Sequence, residues 1–383
     1  MQRSTTRILT THTGSLPRPD DLTALLYAQA DGQPIDPAAL EARVRTAVAE
    51  AVRQQVAAGI DIVSDGEQSK IGFANYVAQR LTGFAGEPRP FRARDLLDYP
   101  EVAQQLAATG GRAPSTPGCT GPIRYHDLTA VRRDIDHLRA ALRGVGVVKA
   151  FLPAASPGCV VQITHNTYYP SRREYLYALA DALKTEYRAI IEAGFLLQVD
   201  CPDFAMGRHV EFADAPLDEY RRNLALHVEA LNHALAGLPA DRIRVHLCWG
   251  NYPGTHHWDV PLRDMLDLVL QVHGEGLSIE AANPRHEHEW RVFEEVPLPE
   301  DKVLLPGVID TKTNYIEHPE LVAERIVRFA RVVGRERVIA STDCGFGTFA
   351  GFGRVPARVA YAKLAALAEG ARLATRALWS AGS

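Results

Sequence analysis

The sequence predicts a single (β/α)8 TIM barrel. Eight short runs rich in β-forming residues alternate with helical stretches along 383 residues, and parallel strands need crossovers of this kind. The runs also end in polar residues, which is typical of barrels whose site lies where the strands end. An open doubly wound sheet is the alternative, but no glycine-rich phosphate loop with the required spacing follows a strand. The predicted strands are Thr6–Thr11, Ile60–Ser64, Val147–Leu152, Phe195–Val199, Ile243–Leu247, Leu277–Ala281, Val303–Ile309 and Val338–Ser341.

Two of the intervening helices have clear beginnings and ends. Ser171 and Glu174 have the spacing of a capping box, and the helix that follows is predicted to end at Gly194. Pro319 is typical of a first helical position, and the apolar stripe after it stops before Gly334. These signals support the assignment of the crossovers as helices.

One connection is too long for a minimal barrel. The interval between the second and third predicted strands is the longest, and Gly83–Pro117 within it is rich in Gly, Pro, Arg and Ala. We predict that residues 83–126 are an insertion over one end of the barrel, serving as a lid or an interface, with a hairpin around Cys119–His126. The chain as a whole, residues 1–383, is predicted to be a single domain.

Composition excludes several classes of protein. There are 42 Lys and Arg residues against 46 Asp and Glu, and the net charge of −4 argues against binding to nucleic acid or to anionic membranes. No run reaches the roughly 18 apolar residues of a membrane helix, and Met1–Ser15 lacks the apolar stretch of a signal peptide, so the protein is predicted to be cytoplasmic. The cysteines are odd in number and widely spread, which does not fit a disulfide framework: Cys119, Cys159, Cys201, Cys248 and Cys344.

Residues that can carry chemistry collect at the ends of the predicted strands. In a parallel barrel these ends share one mouth, so their side chains are expected to converge on one cavity. They are His12, Ser15, Asp65, Glu67, Asp200, His246, Cys248, Glu280, Asp310, Asp343 and Cys344.

Four of these residues have the chemistry of a zinc site. His246 and Cys248 are two positions apart on a strand, so both can point into the mouth. Glu280 and Cys344 end the sixth and eighth predicted strands and complete a tetrahedral set, in which the soft sulfurs disfavour Mg²⁺ and Ca²⁺. The alternative is that the imidazole and the thiols are packing groups, because cysteine is among the most buried residue types.

A zinc ion with two cysteine ligands favours activation of a thiol over hydrolysis. Zn²⁺ deprotonates a thiol that it binds and so yields a nucleophile at neutral pH. Hydrolytic zinc usually has histidine and carboxylate ligands with a water molecule, so a zinc hydrolase is the lesser alternative.

The same segments resemble the cobalamin-independent methionine synthase superfamily, in particular the single-barrel proteins similar to its C-terminal catalytic domain. They follow the order of that family over almost the whole chain. The segments are Ile8–Asp20, Val63–Ser69, Gln198–Ala205, Val245–Tyr252, Leu277–Ala281, Leu305–Asn314 and Ser341–Phe349.

The resemblance implies a zinc-dependent transfer of a methyl group to homocysteine or a related thiol. It implies the metal ligands His246, Cys248, Glu280 and Cys344, with Glu280 also a candidate catalytic residue. Ser15 and nearby backbone would hold a substrate carboxylate. Glu67 and Asp200 would hold an ammonium group, which also agrees with the need of two buried acids for a cation. The candidate substrate-binding residues are His12, Ser15, Glu67, Asp200 and Trp249.

Departures from the family pattern bear on the substrate. The family places a histidine, thought to move a proton, where this chain has Lys312, so Asp310 and Lys312 are candidate catalytic residues whose proton-transfer role is open. Asp200-Cys201-Pro202 lacks the second carboxylate of the family's Asp-Glu-Pro, and the chain has no room for the second barrel that helps to hold folate. The methyl donor, or a partner protein that delivers it, is therefore open, as is the oligomeric state.

Two other functions remain as alternatives. The loop Trp249–Trp258 looks like that of relatives resembling epoxyalkane:coenzyme M transferase, also called 2-hydroxypropyl-CoM lyase, which open an epoxide with a thiolate. The sulfonate of coenzyme M would need cations, for which Arg18, Lys70 and Lys312 are available. A zinc-stabilised binding module without turnover is the third possibility.

Overall fold

The computed structural model describes residues 1–88, 93–108, 115–352 and 355–380. Within these residues, eight strands form one parallel sheet that is bent into a nearly closed barrel. The fold class and the position of every predicted strand are confirmed. The barrel strands are β1 (Leu9–Thr10), β2 (Ile62–Ser64), β3 (Lys149–Ala155), β4 (Leu196–Cys201), β5 (Ile243–Leu247), β6 (Gly276–Ile279), β7 (Val303–Ile309) and β8 (Ile339–Thr342).

The barrel closes between β1 and β2 through a few hydrogen bonds instead of a regular ladder. The backbone N–H of Asp61 donates to the carbonyl of Thr10 at 3.2 Å, and the hydroxyl of Thr11 donates to the carbonyl of Ile62 at 3.0 Å. Each of these strands is only two or three residues long. Side chains therefore supply part of the pairing that longer strands would make with their backbones.

Helices surround the sheet and cover its outer face. At the predicted capping box, the Ser171 hydroxyl accepts from the backbone N–H of Glu174 and donates to the Glu174 carboxylate. Gly334 ends the later helix with a φ of 92°. The α-helices are Asp20–Ala30, Pro37–Ala57, Val77–Arg80, Arg94–Asp98, Pro100–Ala108, Thr129–Ala141, Pro157–Ile163, Arg172–Glu192, Pro202–Ala205, Gly207–Val210, Leu217–Leu235, Leu266–Val269, Val292–Glu295, Pro319–Val333 and Ala357–Trp379. The 3-10 helices are Ala240–Arg242, Leu262–Asp264, Glu287–Arg291 and Arg335–Arg337.

Apolar side chains pack on both faces of the sheet. The larger cluster lies between the strands and the helices, and a smaller one, contributed by six different strands, fills the inside of the barrel. The inner cluster comprises Leu9, Ile62, Phe151, Leu196, Val303, Leu305 and Ile339. This inner cluster closes one end of the barrel, and polar residues occupy the other end.

The long connection differs from its prediction in one respect. Gly118–Cys119 is a strand, but its antiparallel partner is Phe84–Gly86, so the predicted local hairpin around Cys119–His126 is wrong. Tyr125 instead bridges to Leu81, far back in the sequence. The two ends of the connection thus pair with each other, because the barrel brings them together. Residues 89–92 and 109–114, which belong to the predicted insertion, lie outside the described residues.

No helix in the described ranges has the length and apolar character needed to cross a lipid bilayer.

Candidate metal and thiol site

A cavity of about 450 Å³ opens where the barrel strands end. One set of lining residues comes from the strand ends and carries hydroxyl, acidic, imidazole and thiol groups: Ser15, Glu67, Asp200, His246, Cys248 and Cys344. Another set comes from loops and from the long connection and is apolar: Phe73, Leu96, Leu106, Ile163, Phe349 and Phe352. The cavity therefore combines reactive groups with an apolar enclosure, as ligand sites commonly do.

An imidazole and two thiols meet at this mouth. His246 and Cys248 lie at the end of β5, Cys344 follows β8, and one ligand atom from each lies within 4.8 Å of the others. All three side chains are buried, and neither ring nitrogen of His246 has a hydrogen-bond partner. A buried imidazole without partners is costly unless something else binds it.

The spacing of the sulfurs fits a tetrahedral zinc ion. The Cys248 and Cys344 sulfurs are 3.7 Å apart, too far for a disulfide bond of about 2.05 Å. Zinc–sulfur bonds of about 2.3 Å with tetrahedral angles give a sulfur–sulfur distance of about 3.8 Å. The contact with the Cys248 thiol and the charge of the nearby His246 lower the pKa of Cys344 to about 5 despite its burial. The donor set thus already favours a thiolate.

Glu280 lies beside this group but is held by other residues. Its Oε1 accepts from the backbone N–H of Trp249 at 2.9 Å, and its Oε2 accepts from Asn283 at 3.0 Å and from the Lys312 ammonium at 2.5 Å. Although burial alone raises the pKa of this carboxyl, the charge of Lys312 lowers it. Asp310 accepts from the backbone N–H of Lys312 at 3.0 Å, so it shapes the turn that presents the lysine.

Two carboxylates face the cavity near the thiols. Glu67 has a left-handed φ of 55°, and its buried Oε2 has no hydrogen-bond partner. Asp200 ends β4 and accepts from the side chain of Gln198 at 2.7 Å. Burial raises the pKa of Glu67, and burial together with the charge of Glu67 raises the pKa of Asp200 to about 7. The charged forms of both acids are thus disfavoured until a cation approaches.

A family model described as "Cobalamin-independent synthase, Catalytic domain" matches residues 8–89 and 159–366. The chain belongs to this family. The resemblance predicted from the sequence is confirmed, and the matched ranges contain all the cavity-lining acidic, imidazole and thiol groups described above. The stretch between the two ranges contains most of the long connection.

Relatives of this chain have two kinds of activity in their names. A 2-hydroxypropyl-CoM lyase of Xanthobacter autotrophicus is 25% identical over 90% of this chain and 88% of its own length. A methionine synthase of Sulfolobus acidocaldarius is 23% identical over 97% of this chain and 93% of its own. The structure of a B12-independent methionine synthase from Shewanella in complex with selenomethionine shares the fold, with a TM-score of 0.75, 23% identity and coverage of 98% and 99%. The family is one of thiol-alkylating enzymes.

Three other predicted site residues occupy different positions relative to the cavity. Ser15 lines it and packs against the backbone of Gly345. His12 is fully buried, with Nε2 bound to Gln55 at 2.8 Å, and burial lowers its pKa to about 3. The indole of Trp249 is fully buried, donates to the carbonyl of Val260 at 2.8 Å and stacks on His286. These two side chains are not among the described residues that line the cavity.

Asn251 and Asp343 hold the loops at the mouth together; the sequence singled out Asp343 only as a strand-end group and did not single out Asn251. Asn251 donates to the carbonyl of Gly345 and to the hydroxyl of Thr348, both at 2.7 Å, and so ties the loop after β5 to the loop after β8. Asp343 accepts four hydrogen bonds from the backbone and side chains of the loop after β6. Their positions just after strand ends were the only signal, and it does not distinguish support from chemistry.

The buried carboxyl of Asp65 makes the stability of the protein depend on pH. It accepts a hydrogen bond from the backbone N–H of Glu67 at 2.9 Å. Burial raises the pKa of Asp65 to about 7. Its protonated form favours folding, so its stabilising contribution is complete below the unfolded pKa of about 4 and is lost as pH rises to about 7. We expect the free energy of unfolding of the wild type, relative to that of Asp65→Asn, to fall by about 1.4 kcal/mol per pH unit in this window. Urea unfolding measures both free energies.

The control for that measurement is Asp214→Asn, because the side chain of Asp214 is 87% exposed. It should leave the pH dependence of the free energy of unfolding unchanged. Parallel curves for wild type and Asp65→Asn would show that Asp65 titrates alike in the folded and unfolded chains.

Proposed function

We propose that this chain is a zinc-dependent enzyme that transfers a methyl group to the thiol of homocysteine. The observation that carries the proposal is the placement of Glu67 and Asp200 in the same cavity as the His246, Cys248 and Cys344 group. An amino acid that bears a thiol has an ammonium group for the two carboxylates and a sulfur for the metal. The name of the Sulfolobus relative, methionine synthase, agrees with the product of this transfer.

The cations near the cavity argue against a sulfonate substrate. No Lys or Arg is among the described residues that line the cavity. The candidates for binding a sulfonate have partners within the chain: Arg18 donates to the carbonyls of Glu67 and Gly347, Lys70 to that of Pro153, and Lys312 to Glu280. Epoxide opening with coenzyme M, the activity that the name of the Xanthobacter relative suggests, is therefore the second candidate.

The residues fit a zinc ion, which His246, Cys248 and Cys344 would hold, with Glu280 as the fourth ligand. When bound, Zn²⁺ lowers the pKa of a thiol so that the sulfur reacts as a thiolate at neutral pH. Glu67 and Asp200 would orient the amino group of the substrate, and Ser15 its carboxylate. The apolar side chains of Phe73 and the residues grouped with it would exclude water from the reacting sulfur.

Zinc K-edge X-ray absorption on the zinc-loaded protein tests this proposal, because it counts sulfur ligands directly. We expect two sulfur ligands without substrate and three with homocysteine, with no change on adding coenzyme M. A third sulfur with coenzyme M alone would transfer the assignment to epoxide opening. No change with either thiol would favour a zinc-stabilised binding module. Formation of methionine from homocysteine, screened by mass spectrometry with methyltetrahydrofolate and methylcobalamin, then identifies the donor.

The Lys312–Glu280 pair predicts opposite effects of two substitutions on zinc affinity. Lys312→Met removes a cation 2.5 Å from the carboxylate of Glu280, the proposed fourth ligand, so zinc should bind about tenfold more tightly, as expected for the loss of one close repulsion partly screened by the protein. Glu280→Gln removes the anion and should weaken zinc binding. A competition titration with a chromogenic chelator measures both.

The matched control is Lys302→Met, which removes another buried lysine. Its ammonium donates to the carbonyls of Val272 and Gly274, away from the site, at 2.6 and 2.5 Å. This variant should lose stability and keep its zinc affinity. If Lys312→Met also leaves zinc affinity unchanged, the ion pair has no influence on the metal.

A further inference from the structure

We infer that Gln198 and Arg244 are positioning residues that fix Asp200 as a hydrogen-bond acceptor for the ammonium group of the thiol substrate. The inference rests on the proposed function and extends it to two residues that neither line the metal group nor touch the reacting sulfur. Both are fully buried inside the barrel, below Asp200.

The three side chains form a relay in which every hydrogen bond has one possible direction. The guanidinium of Arg244 can only donate, and its Nε lies 2.7 Å from Oε1 of Gln198. The other end of the amide, Nε2, lies 2.7 Å from Oδ1 of Asp200 and also donates to the carbonyl of Thr13. Since a carbonyl only accepts, the amide has a single orientation, with its NH₂ group toward Asp200.

The lower end of the relay is held in place by β1 and β3. Arg244 donates to the hydroxyl of Thr11 at 2.9 Å and to the carbonyl of His12 at 2.5 Å, and its guanidinium lies 3.6 Å from the centre of the Phe151 ring. Three hydrogen-bonding directions and one stacking face leave the guanidinium no second position. The amide above it is therefore also fixed.

The consequence for Asp200 is a choice between two kinds of ligand. The N–H donated to Oδ1 partly offsets the burial that disfavours the anion, and the carboxylate offers acceptor sites to the cavity that it lines. If the amide turned over, its oxygen would face the carboxylate and favour a protonated acid, which donates. The relay thus selects a group with several N–H donors, such as an ammonium.

The test compares homocysteine with 4-mercaptobutanoate, which has the same thiol and carboxylate but no amino group. Calorimetry on the zinc-loaded wild type should show tighter binding of homocysteine. Gln198→Met keeps the length of the side chain and removes the three hydrogen bonds of the amide, to Arg244, Asp200 and Thr13. It should weaken homocysteine binding by about tenfold and 4-mercaptobutanoate binding by less than about threefold. A merely structural role would weaken both ligands alike.

A second variant guards against misfolding of the first. Arg244→Lys keeps the buried charge but lacks the planar guanidinium that holds the amide. We therefore expect a smaller loss of affinity, again for homocysteine alone. If the wild type prefers homocysteine, equal losses of affinity for both ligands in the variants would overturn the relay. No loss for either ligand would overturn it as well. A wild type without that preference would instead overturn ammonium recognition, and with it the proposed substrate.

Discussion

Cys344→Ser is expected to reduce zinc affinity by more than about 100-fold and to bring thiol alkylation down to background. Loss of residues that merely support a metal ligand typically costs 10- to 100-fold in affinity, and Cys344 belongs to the proposed ligand group itself. Its thiol is the one whose pKa is lowered, to about 5, and a serine hydroxyl would not ionise at that pH. Zinc content after dialysis and product formation from homocysteine are the two measurements.

Cys119→Ser is the matched control, because it also removes a buried thiol. Cys119 lies in the strand that pairs with Phe84–Gly86, and its sulfur donates to the carbonyl of Gly121 at 3.4 Å, a bond that serine can replace. This variant should keep its zinc and its activity. Retention of one tightly bound zinc ion per chain by Cys344→Ser would remove Cys344 from the ligand set.

Glu67→Gln is expected to change ligand binding and stability in opposite directions. Homocysteine should bind about 10- to 100-fold more weakly, because a charge-assisted hydrogen bond of about 1.5–3 kcal/mol to its ammonium is lost. The ligand-free protein should melt about 2 °C higher or more, since the wild type buries an acid whose pKa is raised and whose Oε2 has no partner. Calorimetry and thermal unfolding measure the two effects.

Glu186→Gln provides the contrast for that experiment. Glu186 is as buried as Glu67, but it accepts from Tyr76 at 2.9 Å and lies 3.1 Å from the guanidinium of Arg80. Removing a paired charge leaves Arg80 with one anion fewer, so this variant should melt lower and bind homocysteine normally. A lower melting temperature in Glu67→Gln, with homocysteine binding unchanged, would show that Glu67 is a structural acid like Glu186.

Features governed by short spacings were predictable from the sequence. Strand alternation places His246 and Cys248 on one face. Ser171 begins one helix and Gly334 ends another through contacts a few residues long. The order of strands and helices then leaves a parallel barrel as the natural closure. From these rules alone, the strand-end residues that line the cavity could be named.

The partners of those residues were decided by the tertiary structure. Cys248 and Cys344 meet across 96 positions, the long connection pairs Gly118–Cys119 with Phe84–Gly86 where a local hairpin was predicted, and Lys312 lies against Glu280. Strand periodicity tells which way a side chain points but not what faces it. Pairing across the barrel depends on strand register, on the bends of the loops and on which buried charges need a partner. The sequence thus determined which groups reach the mouth, and only the folded barrel determined which of them are free to bind a ligand.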